Sequence, residues 1–192
     1  MLWDNFFDDE TESWVQTVHV NYLGIVWGIK AFLPRMIDAG DEGMVLATGS
    51  PSASEGTTYG APAYSASKAA LLLVMESLYG QLRDRKSSIR VAVAFPLLTA
   101  TNIGGNPRMM HVASEQQRAR GLPTVLVQAD QVAGMIVDGI KQGRFFITMR
   151  KQDNDAFFGG AHSDDFFTWR EKMVRGRSEA QLNDGTPDSY IW

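Results

Sequence analysis

Three short apolar runs alternate with stretches of helical periodicity, and that alternation leaves few architectures open to the chain. The first, Met44-Val45-Leu46-Ala47-Thr48, lies between Gly43 and Gly49-Ser50-Pro51. The second is Ile89-Arg90-Val91-Ala92-Val93-Ala94-Phe95, stopped by Pro96, and the third is Phe145-Phe146-Ile147-Thr148-Met149. Short runs of this kind suit strands buried on both faces of a parallel sheet. A helix is predicted from residue 11 to about 37, because Trp14, Val18, Tyr22, Ile25, Ile29 and Phe32 recur at three or four positions. Thr11 is its candidate cap, among acidic Asp8, Asp9, Glu10 and Glu12; Pro34 and Gly40 mark its far end. Gly24 and Gly28 would let another helix approach closely. A second helix, residue 63 to about 85, has Leu71, Leu72, Met75, Leu78, Tyr79 and Leu82 as its apolar face. A third starts at Ala129-Asp130, runs through Val132, Met135, Ile136 and Ile140, and ends near Gly143. Helix and strand in turn is the rhythm of an α/β protein with a parallel sheet of about three strands and flanking helices.

Other segments carry less pattern. Residues 50–62 read as a loop, and residues 97–128 as irregular, with a break at Gly104-Gly105-Asn106-Pro107. The expected division is one domain over residues 1–150 and a polar tail over 151–192 with one short helix near 164–174. Phe157, Phe166, Phe167 and Trp169 suggest that the tail docks on its own body or on a neighbouring subunit. A net charge of −4 with no basic stripe argues against a nucleic-acid partner. No apolar run approaches the roughly 18 residues of a membrane span, and the acidic start has no basic leader segment. The chain has no cysteine, which fits a reducing compartment, so a cytoplasmic location is expected.

The chemistry concentrates at Tyr64 and Lys68, four residues apart. On a helix that spacing puts a phenol and an ammonium on one face. An ammonium near a phenol, with a cofactor between them, favours the phenolate, and a phenol so tuned can pass a proton to or from an alcohol oxygen. The spacing alone recurs by chance, so its weight comes from its surroundings. Tyr59 and Tyr79 have Ala63 and Arg83 at the same offset, and no serine-ended strand precedes Arg83 in the needed place. His19, His111 and His162 are scattered, and no metal site is expected. Gly49-Ser50-Pro51-Ser52-Ala53 is not a nucleophile elbow, because its fifth residue is alanine.

With its context, the motif resembles the C-terminal two-thirds of a short-chain dehydrogenase/reductase, over residues 2 to 152. Val20-Asn21-Tyr22-Leu23-Gly24 is similar to the family's asparagine segment, and Ser50 stands where its serine closes a strand. Tyr64 and Lys68 match its tyrosine and lysine, and Phe95-Pro96-Leu97-Leu98-Thr99-Ala100-Thr101 fits its segment beside the nicotinamide. The resemblance implies a partial Rossmann-like fold and hydride transfer between NAD or NADP and a carbonyl/alcohol substrate. It implies Asn21, Ser50, Tyr64 and Lys68 as catalytic residues. It also implies a cofactor set of Tyr64, Lys68, Pro96, Leu97, Thr99 and Thr101. In these roles Tyr64 is the acid or base, Lys68 holds the ribose hydroxyls and lowers the tyrosine pKa, and Ser50 binds the substrate oxygen. Asn21 anchors a water leading to Lys68, and Met109-Met110-His111 falls in the family's substrate lid.

The sequence departs from the family in places. Leu97 replaces a usual glycine, Ser52 rivals Ser50 at a shorter distance from Tyr64, and neither the glycine-rich turn nor the Asn-Asn-Ala-Gly segment is found. The expectation is therefore a truncated piece of a longer enzyme, with NAD and NADP not distinguished. The helices bearing Asn21 and Tyr64 are expected to pack against their copies in a homodimer or homotetramer. The alternative is a non-catalytic fragment or interaction protein that keeps only those helices.

Overall fold

The most continuous apolar run becomes the centre of the sheet. In the computed structural model, which describes Phe6 and residues 11–53, 62–96, 99–101 and 127–148, β2 (Ile89–Phe95) lies between β1 (Gly43–Thr48) and β5 (Phe146–Thr148). Both pairings are parallel, with Gly43 opposite Ile89 and Val93 opposite Phe146. The helices are α1 (Thr11–Val18), α2 (Gly24–Ala39), α3 (Pro62–Asp84) and α4 (Ala129–Lys141). The fold and its small three-stranded parallel sheet with flanking helices are those expected from the sequence.

Alternation along β2 decides what packs on each face. Val91, Val93 and Phe95 meet Leu71, Leu72, Met75, Leu78 and Leu82 of α3, with Ile25, Ile29, Leu33 and Met36 of α2 around them. Ala92 and Ala94 point the other way, with Ile147, toward Met135, Ile136 and Ile140 of α4. Small residues on that face let α4 come close, and a Cβ at Gly139 would lie 2.5 Å from Ile147 Cγ2. Arg90, the exposed residue of β2, donates from its guanidinium to the Ile140 carbonyl at 3.3 Å.

Three local features differ from the sequence expectation. The first helix is not uniform: a π-helical turn, His19–Leu23, joins α1 to α2. Val18 is 36% and Phe32 65% exposed, while Ile25, Ile29, Leu33 and Met36 pack inward. Gly40, at φ 74°, then ends α2 in the left-handed conformation that glycine adopts at least cost. The region 97–128 is not wholly irregular, because β3 (Thr99–Ala100) and β4 (Val127–Gln128) pair in parallel. Two-residue strands are too short to leave a periodic signal. The close helix approach expected at Gly24 and Gly28 is not filled at Gly28, where a Cβ would meet nothing within 4 Å. The glycine break at 104–107, the segment 109–111 and the tail with its expected helix lie outside the described residues.

Candidate active site

The site is built at the carboxyl ends of β1 and β2, where parallel sheets bind ligands. Gly49 carries the chain off β1, its N–H donating to the Ala94 carbonyl at 2.7 Å. A Cβ there would lie 2.8 Å from Val93 Cγ1 and 3.0 Å from Phe95 Cε1, so only glycine fits this close approach. Ser50 follows, buried, at the head of a 3-10 turn, Pro51–Ala53. Its carbonyl accepts the Ala53 N–H at 3.0 Å and its Oγ accepts the Ser52 N–H at 3.2 Å. Those two bonds fix the serine and leave its hydroxyl proton for Tyr64, with which its side chain is hydrogen-bonded. Ser52, the rival serine of the sequence reading, thus supports Ser50 through its backbone.

Tyr64 lies in the first turn of α3, half-buried. Burial pushes its phenol above the usual tyrosine range, and the Ser50 hydrogen bond pulls weakly the other way. The neutral, proton-bearing form is the one this environment favours, so the phenolate expected beside Lys68 is not favoured by the protein's own groups, because burial outweighs the lowering contact. Lys68 stands one turn further on, its Nζ 5.7 Å from the centre of the Tyr64 ring. Burial lowers its ammonium below the usual lysine range. Its hydrogen bond is to the Thr48 carbonyl, at 2.8 Å. A trans peptide points its C=O opposite to the next N–H. Since the Gly49 N–H faces β2, the Thr48 carbonyl faces the outer edge of β1. Lys68 therefore caps the last outward carbonyl of that edge.

The structure brings Asn21, Ser50, Tyr64 and Lys68 to one region, but Asn21 arrives through an intermediary. Its amide donates to Ser67 Oγ at 3.1 Å, and Ser67 Oγ donates to the Tyr64 carbonyl at 2.7 Å. Pro96 is half-buried at the end of β2, Thr99 is half-buried in β3, and Thr101 is exposed just beyond it. Leu97 lies outside the described residues. Ser67 was missed by the sequence reading. The signal was present: it lies four residues before Leu71 on the apolar stripe of α3, a polar residue at a core position.

Comparison with known proteins gives the class. A family profile described as short chain dehydrogenase matches residues 4–111, more than half of the 192 residues. The chain belongs to the short chain dehydrogenase family. Among solved structures it is similar to a short chain dehydrogenase/reductase from Burkholderia phymatum in complex with NAD, with a TM-score of 0.67 and 19% identity over 100% of this chain and 66% of that one. It is also similar to a short-chain dehydrogenase from Sphingobium yanoikuyae in complex with NADPH, at TM-score 0.63 and 17% identity over 100% of this chain and 64% of the other. A third, from Burkholderia cenocepacia in complex with NADP, matches at TM-score 0.61 and 18% identity over 97% of this chain and 65% of its own. The chain thus spans less than two thirds of the length of each. No curated protein matches it.

Proposed function

We propose that this protein is an oxidoreductase that moves a hydride between NAD or NADP and a carbonyl/alcohol substrate. The observation that carries the reading is the convergence of the Ser50 hydroxyl, the Tyr64 phenol and the Lys68 ammonium at the carboxyl end of β1. These groups fit a nicotinamide cofactor. An ammonium held by a backbone carbonyl can turn to vicinal ribose hydroxyls, and a phenol kept neutral can donate a proton. The similar structures bound to NAD, NADPH and NADP agree with that fit without choosing between the two dinucleotides.

The cofactor, when bound, supplies or accepts the hydride. Lys68 would then hold the ribose, and Pro96, Leu97, Thr99 and Thr101 would border the nicotinamide. Ser50 would orient the carbonyl oxygen by a hydrogen bond. In reduction, Tyr64 Oη would give its proton to that oxygen as the carbon accepts the hydride; in oxidation it would take the proton back. Asn21 would anchor the water that returns a proton toward Lys68. The lack of cysteine fits a reducing compartment, and the proposal places this work in the cytoplasm. Among the described residues no helix is long and apolar enough to cross a membrane.

Assembly belongs to the same proposal. Val20, Trp27 and Phe32 on the first helices are 66%, 56% and 65% exposed, and Leu73 of α3 is 57% exposed. Apolar surface of this kind, beside the open space at Gly28, fits a homodimer or homotetramer formed through these helices. The same surface is what favours the second reading, a non-catalytic interaction protein. One titration separates the two. Quenching or enhancement of NADH and NADPH fluorescence should be saturable and weakened in Lys68→Ala, and a carbonyl panel should then give turnover lost in Tyr64→Phe. A folded protein that binds neither dinucleotide would leave only the interaction reading.

A further inference from the structure

Asn21 and Tyr64 are on different helices, yet one buried hydroxyl joins them. Ser67 is 2% exposed. Its proton is spent on the Tyr64 carbonyl at 2.7 Å, so its oxygen can take only a donor. The Asn21 amide N–H supplies that donor at 3.1 Å, which fixes the face of the amide and turns its carbonyl oxygen away from Ser67. A serine bonding back to its own helix three residues earlier is common and by itself has no consequence. The incoming amide makes this one a joint. It closes a link between residues 46 apart in sequence, and it lies in the chain directly between Tyr64 and Lys68.

The donor side is equally specific. Asn21 lies in the π-helical turn His19–Leu23, where the Gly24 N–H reaches the His19 carbonyl five residues back. The extra residue in that turn widens the helix at the place where it faces α3. Such turns concentrate at functional sites because they re-aim one side chain without ending the helix.

We propose that Ser67 is a positioning residue for the reaction, fastening the π-turn to the first turn of α3 and so setting where Tyr64 and Lys68 stand. The proposal rests on the oxidoreductase reading for its catalytic consequence, and its mechanical half can be tested without it. Four proteins suffice: the parent, Asn21→Ala, Ser67→Ala and the double variant. With a substrate in hand, each single variant should lower kcat by about tenfold with the cofactor KM within about twofold, and the double should fall no further than either single. An unchanged kcat in folded Ser67→Ala would overturn the proposal, as would a roughly hundredfold, additive loss in the double. The second measurement is amide hydrogen exchange over residues 64–68. Asn21→Ala should deprotect that turn of α3 as much as Ser67→Ala does, and the double no more. Unaltered exchange there in Asn21→Ala would sink the mechanical half. Because Asn21 is only half-buried, its variant keeps the exchange measurement open even where Ser67→Ala lowers the folded population. A parent without turnover but with coupled exchange would count against the oxidoreductase reading and leave the joint standing.

Discussion

Tyr64 and Lys68 are shifted in opposite directions by the same cause. Burial penalises the phenolate of Tyr64 and the ammonium of Lys68, so each is pushed toward its neutral form. The two leave different marks on stability. A phenol raised by folding contributes stability that is present below about pH 10 and is lost as pH climbs through its folded value. An ammonium lowered by folding does the reverse, so stability rises with pH in the window beneath about 10.5. Urea midpoints across that range should therefore fall less steeply at alkaline pH in Tyr64→Phe than in the parent. In Lys68→Met the rise within that window should vanish. Both variants should stay folded at neutral pH. In a turnover assay Tyr64→Phe should lose about 10²- to 10⁴-fold, the usual contribution of a positioned acid or base. Gly49→Ala tests the backbone beneath the site. Its added methyl would press on Val93, Phe95 and the Ala94 carbonyl, 3.3 Å away. Overpacking of this kind costs about 1–3 kcal/mol, readable as a lowered urea midpoint, and it should move Ser50 off Tyr64.

Some elements announce themselves in sequence and others do not. β2 is readable: an apolar run bounded by Ser88 and Pro96 has few uses other than a buried strand. The apolar stripe of α3 is readable too, since Leu71, Leu72, Met75, Leu78 and Leu82 all fall in the core. The π-turn is hidden, because Trp14, Val18, Tyr22 and Ile25 continue across it at a spacing that an ordinary helix would satisfy. The hold of Lys68 on Thr48 is hidden for a different reason: its acceptor is a backbone carbonyl 20 residues upstream, which no side-chain pattern marks. The seat of α4 on the sheet depends on one missing side chain. Gly139 puts its Cα where a Cβ would meet three atoms of Ile147, the farthest at 3.0 Å. Gly139→Ala should lower the thermal midpoint through overpacking of about 1–3 kcal/mol. Ile147→Ala alone should also destabilise, by leaving a cavity. Combined, the two should cost less than their sum, because the truncated isoleucine makes room for the new methyl. Simple additivity in a double-mutant cycle would mean that α4 meets the sheet elsewhere.

Among the described residues the sheet centre is well buried, while β1 and the helices carry exposed apolar side chains. On β1, Leu46 is 39% exposed, and Lys68 occupies the last outward carbonyl of the strand's edge. A charged side chain at such an edge discourages strand-to-strand association. The helices carry more exposed apolar side chains: Val20, Trp27, Phe32 and Leu73 face solvent, and Gly28 leaves room for a close neighbour. The asymmetry argues that association proceeds by helices and not by strands. Sedimentation at micromolar concentration should accordingly show a dimer or tetramer. Trp27→Lys together with Leu73→Lys should shift it to monomer, since a desolvated charge in an apolar interface is strongly unfavourable. Neither position is buried within the chain, so the lysines should leave the far-ultraviolet spectrum unchanged. Lys68→Met should act on the other surface, uncapping the edge and promoting aggregation that grows with concentration. A parent that sediments as a monomer would exclude a helical interface, and a Trp27/Leu73 variant that still dimerises would move the interface to the strand edge.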